Sequence, residues 1–341
     1  MSLVDTINNS NGLFFYYLRN SIVLTVSVTL ISTIIGTVSA YIVTFFNFRC
    51  RLIFQLALIL PVAIPSYISA LSYSYALEFA GPIQTFLRDS FHINIAPYFN
   101  IRSMGGCIFI MSIASFPYVY ITSMNAMYKT KHLVDIARTF NKNFMYIFFK
   151  IIIPVCKKQI IAGGILVFME VLSDFATCQM LAVDTINNAI YKGWFLSHNP
   201  PYAARISLFI LTVSIIILYI KKEYVKNYRI DKIKSQNLYY RLPRKNNLYI
   251  YFLMISIACL SFIFPLLPLI KWSFIPASVD LHLIKIIKNT LIITTLATVI
   301  TTFISLLLVI NKKNNFSFFC QIGFGLPKSI ISIGMISFFT V

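Results

Sequence analysis

Acidic residues are the scarcest class in this sequence: ten Asp and Glu stand among 341 residues, against 29 Lys and Arg. Charged residues of all kinds make up 11%, while 58% are hydrophobic and the mean hydropathy is +0.78. A soluble domain of this size needs far more charge to keep its surface in water, so the composition excludes that class. Further absences narrow the function. No G-x-x-x-x-G-K-[ST] segment occurs, so the chain has no loop of that type to cradle ATP phosphates. The six cysteines (Cys50, Cys107, Cys156, Cys178, Cys259, Cys320) include no C-x-x-C pair, and the four histidines are equally scattered. Zinc and disulfide frameworks need clustered or regularly spaced ligands. The cysteines therefore read as small apolar core residues, and no catalytic residue, resident metal or directly bound cofactor is assigned.

What remains is long apolar runs. Spanning a bilayer as a helix takes about 20 mostly apolar residues. Eight runs meet that need, over 21–46, 52–77, 105–124, 159–183, 204–220, 248–271, 289–310 and 316–341. The expected fold is therefore all-α, a polytopic membrane bundle of about eight helices. The polar residues 1–20 carry no basic n-region and read as an extracytoplasmic segment.

The net charge of +19 raises the question of nucleic acid, and its distribution answers it. If residues 47–51 lie in the cytoplasm, so do 125–158, 221–247 and 311–315. Those loops hold 20 of the 29 Lys and Arg, the positive-inside pattern. Anionic membrane lipid is the implied partner of the surplus; nucleic acid is not.

Two segments echo each other. Residues 19–36 read R-N-S-I-V-L-T-V-S-V-T-L-I-S-T-I-I-G, and 288–305 read K-N-T-L-I-I-T-T-L-A-T-V-I-T-T-F-I-S. Each opens basic–Asn–hydroxyl and continues as an apolar helix studded with Ser and Thr, residues that suit close helix contact in lipid. Leu60-Pro61 and Leu326-Pro327 follow in the same order. The chain thus divides into a first copy over 21–220, a basic cytoplasmic linker over 221–247, and the start of a second copy over 248–341. The span 248–271 has no counterpart ahead of the first copy, so the chain reads as a window on a longer two-copy protein.

One basic stretch lies between apolar runs: V-D-I-A-R-T-F-N-K-N-F-M-Y-I-F-F-K-I-I-I-P, over 134–154. Phe144, Ile147, Phe148, Ile151 and Ile152 recur on one helical face. Asn141 suits a left-handed turn residue, and Pro154 limits the helix before the next span. Two short helices lying on the membrane surface are expected. The stretch resembles the cytoplasmic "EAA" loop of binding-protein-dependent ABC importer permeases. Asp135-Ile136-Ala137 stands for E-A-A, Asn141 for the family's Gly, and Ile153-Pro154 for its closing hydrophobe-Pro. Asp for Glu and Asn for Gly are departures.

Other stretches resemble the ferric-iron branch of that family: I-L-P-V-A-I-P-S-Y-I-S-A-L (59–71), A-G-P-I-Q-T-F-L-R (80–88), S-F-P-Y-V-Y (115–120) and M-E-V-L-S-D-F-A-T (169–177). The resemblance implies a type I, MetI-like permease bundle in a bacterial inner membrane. It implies a periplasmic binding protein that delivers substrate, separate cytoplasmic ATPase subunits that use ATP, and a second permease chain as a further partner. Asp135, Ile136, Ala137, Arg138, Phe140, Asn141 and Pro154 then carry the coupling to the ATPase.

Glu170 and Asp174, four apart, are expected on one face of the fourth span. They sit either on the translocation path or in a bond to a neighbouring helix. Pro61 and Pro65 are expected to kink the second span beside that path. Ferric iron is the substrate the resemblance favours, with thiamine or another small solute behind it. A secondary transporter is the rival class, but it calls for broken helices with coupling-ion sites in both halves, and no matching acidic pair stands in the second copy.

Overall fold

The computed structural model describes residues 3–92, 100–225, 240–241, 244–274 and 281–310, with residues 331, 334 and 335 beyond. The protein is all-α. Six helices among these residues are long and apolar enough to cross a membrane, and a bent pair over 51–91 adds a seventh candidate. The expected eighth span, 316–341, falls outside the described residues apart from the three named.

Three helices form the centre: α1 (Leu3–Phe45), α5 (Met104–Lys129) and α8 (Ile153–Ser173). Small residues let them approach. A Cβ on Gly36 of α1 would lie 2.8 Å from the Phe116 carbonyl oxygen of α5, so only Gly fits there. Gly163 and Gly164 of α8 play the same part against α5 and α1. The hydroxyl-rich stripe of α1 faces this contact: Ser21, Thr25 and Ser32 are buried, and Ser32 Oγ donates to the Ser112 carbonyl at 3.1 Å. With no hydrophobic force between helices in lipid, such packing and hydrogen bonding supply the association.

The second span is not one helix. α2 (Arg51–Ala57) leads through a tight turn of 3-10 helix at Leu60–Ala63 into α3 (Ser66–Leu77), with α4 (Pro82–Phe91) beyond it. The chain bends by 93° at this break. Pro61 and Pro65 account for it, since each lacks an amide donor and fixes its own φ. The kink expected from the sequence is thus a full break.

Two prolines elsewhere are accommodated differently. Turns of π-helix at Phe148–Ile152 and Cys259–Ile263 directly precede Pro154 and Pro265. A proline clashes with the carbonyl four residues back, and a wider turn relieves that clash without ending the helix. Two sequence expectations are corrected here. The helix that begins with α7 (Phe144–Ile147) runs on through the π-turn into α8, making one span over Phe144–Ser173. It is not a separate surface helix, and the fourth span is not 159–183 but starts and ends earlier.

After α8 come α9 (Ala176–Met180), α10 (Ile186–Tyr191) and α11 (Pro200–Val225). Asn20 and Ser21 of α1 tie this region down through Asp184 O and the Ile186 amide. α12 (Arg244–Ala258) packs against α2, and α13 (Phe264–Ser273) packs against α3, with Tyr73 stacked on Phe264 at 4.4 Å. Tyr73 Oη donates to the Leu260 carbonyl inside the π-turn, at 2.6 Å. β1 (Phe46–Asn47) pairs in parallel with β2 (Tyr240–Arg241), fastening residues 240–241 beside the C-terminal end of α1. α14 (Leu281–Ile310) stands apart: every side chain from Leu283 to Leu307 is exposed.

Candidate functional site

The basic stretch forms an elbow between the C-terminal end of α5 and the start of the span that contains α8. α6 (Lys131–Thr139) follows α5 after a single residue, Thr130, whose hydroxyl donates to the Met127 carbonyl at 2.9 Å. α6 stops at a turn in which Asn141 adopts φ 52°, the left-handed conformation that Asn tolerates better than most residues. The Asn141 amide closes the turn on the Arg138 carbonyl at 2.8 Å. Chain direction reverses and α7 begins.

The two faces of α6 differ sharply. Val134 and Ala137 are buried in the same apolar cluster as Ile147, Phe148 and Ile152. Outward, Ile136 is 54% exposed, Phe140 71% and Met145 of α7 71%. Of the seven residues assigned to coupling, Asp135, Ile136, Ala137, Arg138, Phe140 and Asn141 gather on this elbow. Pro154 lies further on, in the first turn of α8. Ala137 points into the core, so a substitution there perturbs packing before it perturbs any docked partner.

The membrane-embedded candidates separate. Glu170 and Asp174 do not share a helix face, because α8 ends at Ser173 and Asp174 takes extended backbone angles. Asp174 turns inward and is buried. Its Oδ2 accepts from Ser66 Oγ at 2.6 Å, and its Oδ1 accepts from the Thr177 amide at 3.0 Å. The Thr177 hydroxyl lies 2.6 Å from Oδ2 and 2.9 Å from Ser66 Oγ, and donates to one at a time. Asp174 thus joins the break in the second span, just past Pro65, to the break after α8. Pro61 is buried in the 3-10 turn and Pro65 is exposed.

Glu170 is half-buried and acts electrostatically on the Tyr118 phenol of α5. Further polar side chains lie on α5 and α8: Tyr118, Thr122 and Gln159 are half-buried and Asn125 is exposed. Sequence reasoning passed over these neutral groups. Their signal was the i, i+4, i+7 spacing of Tyr118, Thr122 and Asn125, which puts them on one helix side. Polar and ionisable side chains inside a membrane face protein or water, not lipid.

No family model matches the chain. Over 204 residues it is 25% identical to the Fe(3+)-transport system permease protein FbpB 2 of Haemophilus influenzae, which takes in 59% of this chain and 36% of that protein. The match therefore spans about a third of that permease's length. Over 230 residues the chain is 24% identical to the spermidine/putrescine transport system permease protein PotB of the same organism, covering 66% of this chain and 80% of that one. With the helical architecture described above, these likenesses make the chain an all-α, multi-pass membrane protein similar to the permease subunits of ABC importers.

Proposed function

We propose that this chain is the membrane-embedded permease subunit of an ATP-driven importer in a bacterial inner membrane, and that its elbow is the lever through which a separate cytoplasmic ATPase moves the spans. The observation that carries this reading is the division of the elbow. Val134 and Ala137 anchor it in the core, while Ile136, Phe140 and Met145 present an apolar ridge outward. A ridge of that kind on a short helix suits insertion into a groove on a partner. Because α7 runs on into α8 as one span, a push on Met145 would be carried along the same helix to Glu170, while Ile136 and Phe140 would act through the turn at Asn141.

The substrate class that fits is a cation. Glu170 supplies the acidic group, and the names of both relatives specify cations as cargo. Ferric iron is the first reading; a polyamine is the second, favoured by the larger share of PotB that the chain matches. A periplasmic binding protein would deliver the cargo. α12, α13 and α14 would open a second permease copy, with the basic residues from 221 to 247 as the cytoplasmic link.

The test is co-purification and uptake. The chain is produced with its ATPase subunit and binding protein, and uptake of labelled Fe3+ and labelled spermidine is compared. Phe140→Asp is expected to abolish ATPase recovery and uptake while membrane insertion stays intact. Full ATPase recovery with that variant overturns the lever.

A further inference from the structure

A cleft of about 820 Å3 opens at the inner end of the bundle, beside the elbow. Val38, Tyr41, Ile42 and Phe46 of α1 and β1 form one wall, and Phe148 and Phe149 the other. Tyr249 and Ile250 of α12 close the far side. Its floor is aromatic and firmly built: Tyr41 packs on Phe148 at 4.7 Å and donates from its hydroxyl to the Phe144 carbonyl at 3.1 Å. Its rim is cationic. Arg138 lies 5.9 Å from the Phe144 ring and Lys142 5.1 Å from the Tyr146 ring, and Asn141 and Asn143 line the same cleft. No acidic side chain lines the cleft among the described residues.

We propose that this cleft binds an anionic phospholipid of the inner leaflet, its phosphate between Arg138 and Lys142 and an acyl chain along the aromatic floor. Three observations select that occupant. The apolar walls suit hydrocarbon. The paired cations at one edge suit a phosphate. The depth is right, because the cleft spans the last two turns of α1, where the chain meets the positive-inside surface marked by Arg49 and Arg51. The basic linker is a poor candidate for the cleft, since its charge has the same sign as the rim. A lipid seated there touches α1, the elbow and α12 together. It therefore sets how freely the elbow moves, whatever the protein carries across the membrane.

The test uses the purified full chain in nonionic detergent, with bound lipid counted by native mass spectrometry. Phosphatidylglycerol and phosphatidylcholine of matched chains are the probes, and inorganic phosphate is the competitor. One tight phosphatidylglycerol is expected, and millimolar phosphate does not displace it. A cation near a membrane surface is worth about five-fold in binding, so Arg138→Gln with Lys142→Gln weakens that lipid roughly thirty-fold. Lys142→Gln alone, an exposed change that leaves folding untouched, weakens it about five-fold. Val38→Trp, which crowds the cleft from the α1 wall, removes the tight phosphatidylglycerol. Equal binding of the two lipids, displacement by phosphate alone, or charge-deleted variants that bind as the parent does would each overturn the proposal.

Discussion

Replacing Asp174 by Ala removes the acceptor of three donors at once: the Ser66 hydroxyl, the Thr177 hydroxyl and the Thr177 amide. Hydrogen bonds between helices in lipid average about 0.6 kcal/mol and reach about 1.7. Three such bonds give a loss of about 2–5 kcal/mol, toward the upper end because the Thr177 amide is left buried without its partner. Asp174→Asn, with its oxygen in the Oδ1 place, keeps the bond from the Thr177 amide, and its NH2 takes the Oδ2 place, where the Ser66 and Thr177 hydroxyls can turn to accept from it. That variant should lose only about 1 kcal/mol. The protein carries its own reporter of unfolding, since Cys107, Cys156 and Cys178 are buried and react with a thiol dye only when the bundle opens. Thermal scans with such a dye should rank parent, Asn and Ala in that order. Ser66→Ala combined with Asp174→Ala should cost less than the two separate losses added together, the sign that they share one bond. Glu170→Gln is the contrast: unfolding unchanged, cation uptake sharply reduced. If Asp174→Ala unfolds like the parent and its effect simply adds to that of Ser66→Ala, the carboxyl group is not a fastening and the argument fails.

Three further outcomes are expected. Gly36→Ala should destabilise by about 1–3 kcal/mol, because its new methyl group meets α5 backbone at 2.8 Å, whereas Gly12→Ala, with nothing within 4 Å, should be neutral; equal unfolding temperatures would contradict the packing. Asn141→Gly should be tolerated, while Asn141→Val at φ 52° should cost about 1–3 kcal/mol and expose the elbow to protease, which limited digestion reads directly. Cys50, exposed beside the inner end of α1, should react with a membrane-impermeant maleimide in inside-out vesicles and not in whole cells, with Cys50→Ser as control; labelling from outside would invert the topology.

How much of this was legible before the structure depended on whether the cause was local. The elbow was legible because its ingredients are neighbours in sequence: the apolar spacing from Phe144 to Ile152, and an Asn where the chain must reverse. The break at Pro61 and Pro65 was legible in place but not in size: prolines mark where a helix is interrupted, not by how much it bends, and the 93° bend brings Ser66 to Asp174, more than a hundred residues away in sequence. The fourth span was misplaced at both ends for opposite reasons. Pro154 looked like a helix boundary, yet a π-turn absorbs it; Asp174 looked like helix interior, yet Ser66 and Thr177 pull it out. The polar side chains of α5 and α8 were missed because neutral side chains at helical spacing do not stand out until the two helices are laid side by side.

Finally, α14 echoes the hydroxyl spacing of α1: Thr290, Thr294 and Thr301 stand where Ser21, Thr25 and Ser32 do, yet all three are exposed. Their hydroxyls are not idle. Each donates back to its own helix, to the carbonyls of Ile286, Thr290 and Ala297. A segment so self-contained can enter the bilayer on its own and stay there indefinitely, presenting hydrocarbon no naked dipole. Insertion of this helix is thereby uncoupled in time from any later docking, the order of events that a two-step route to membrane assembly requires.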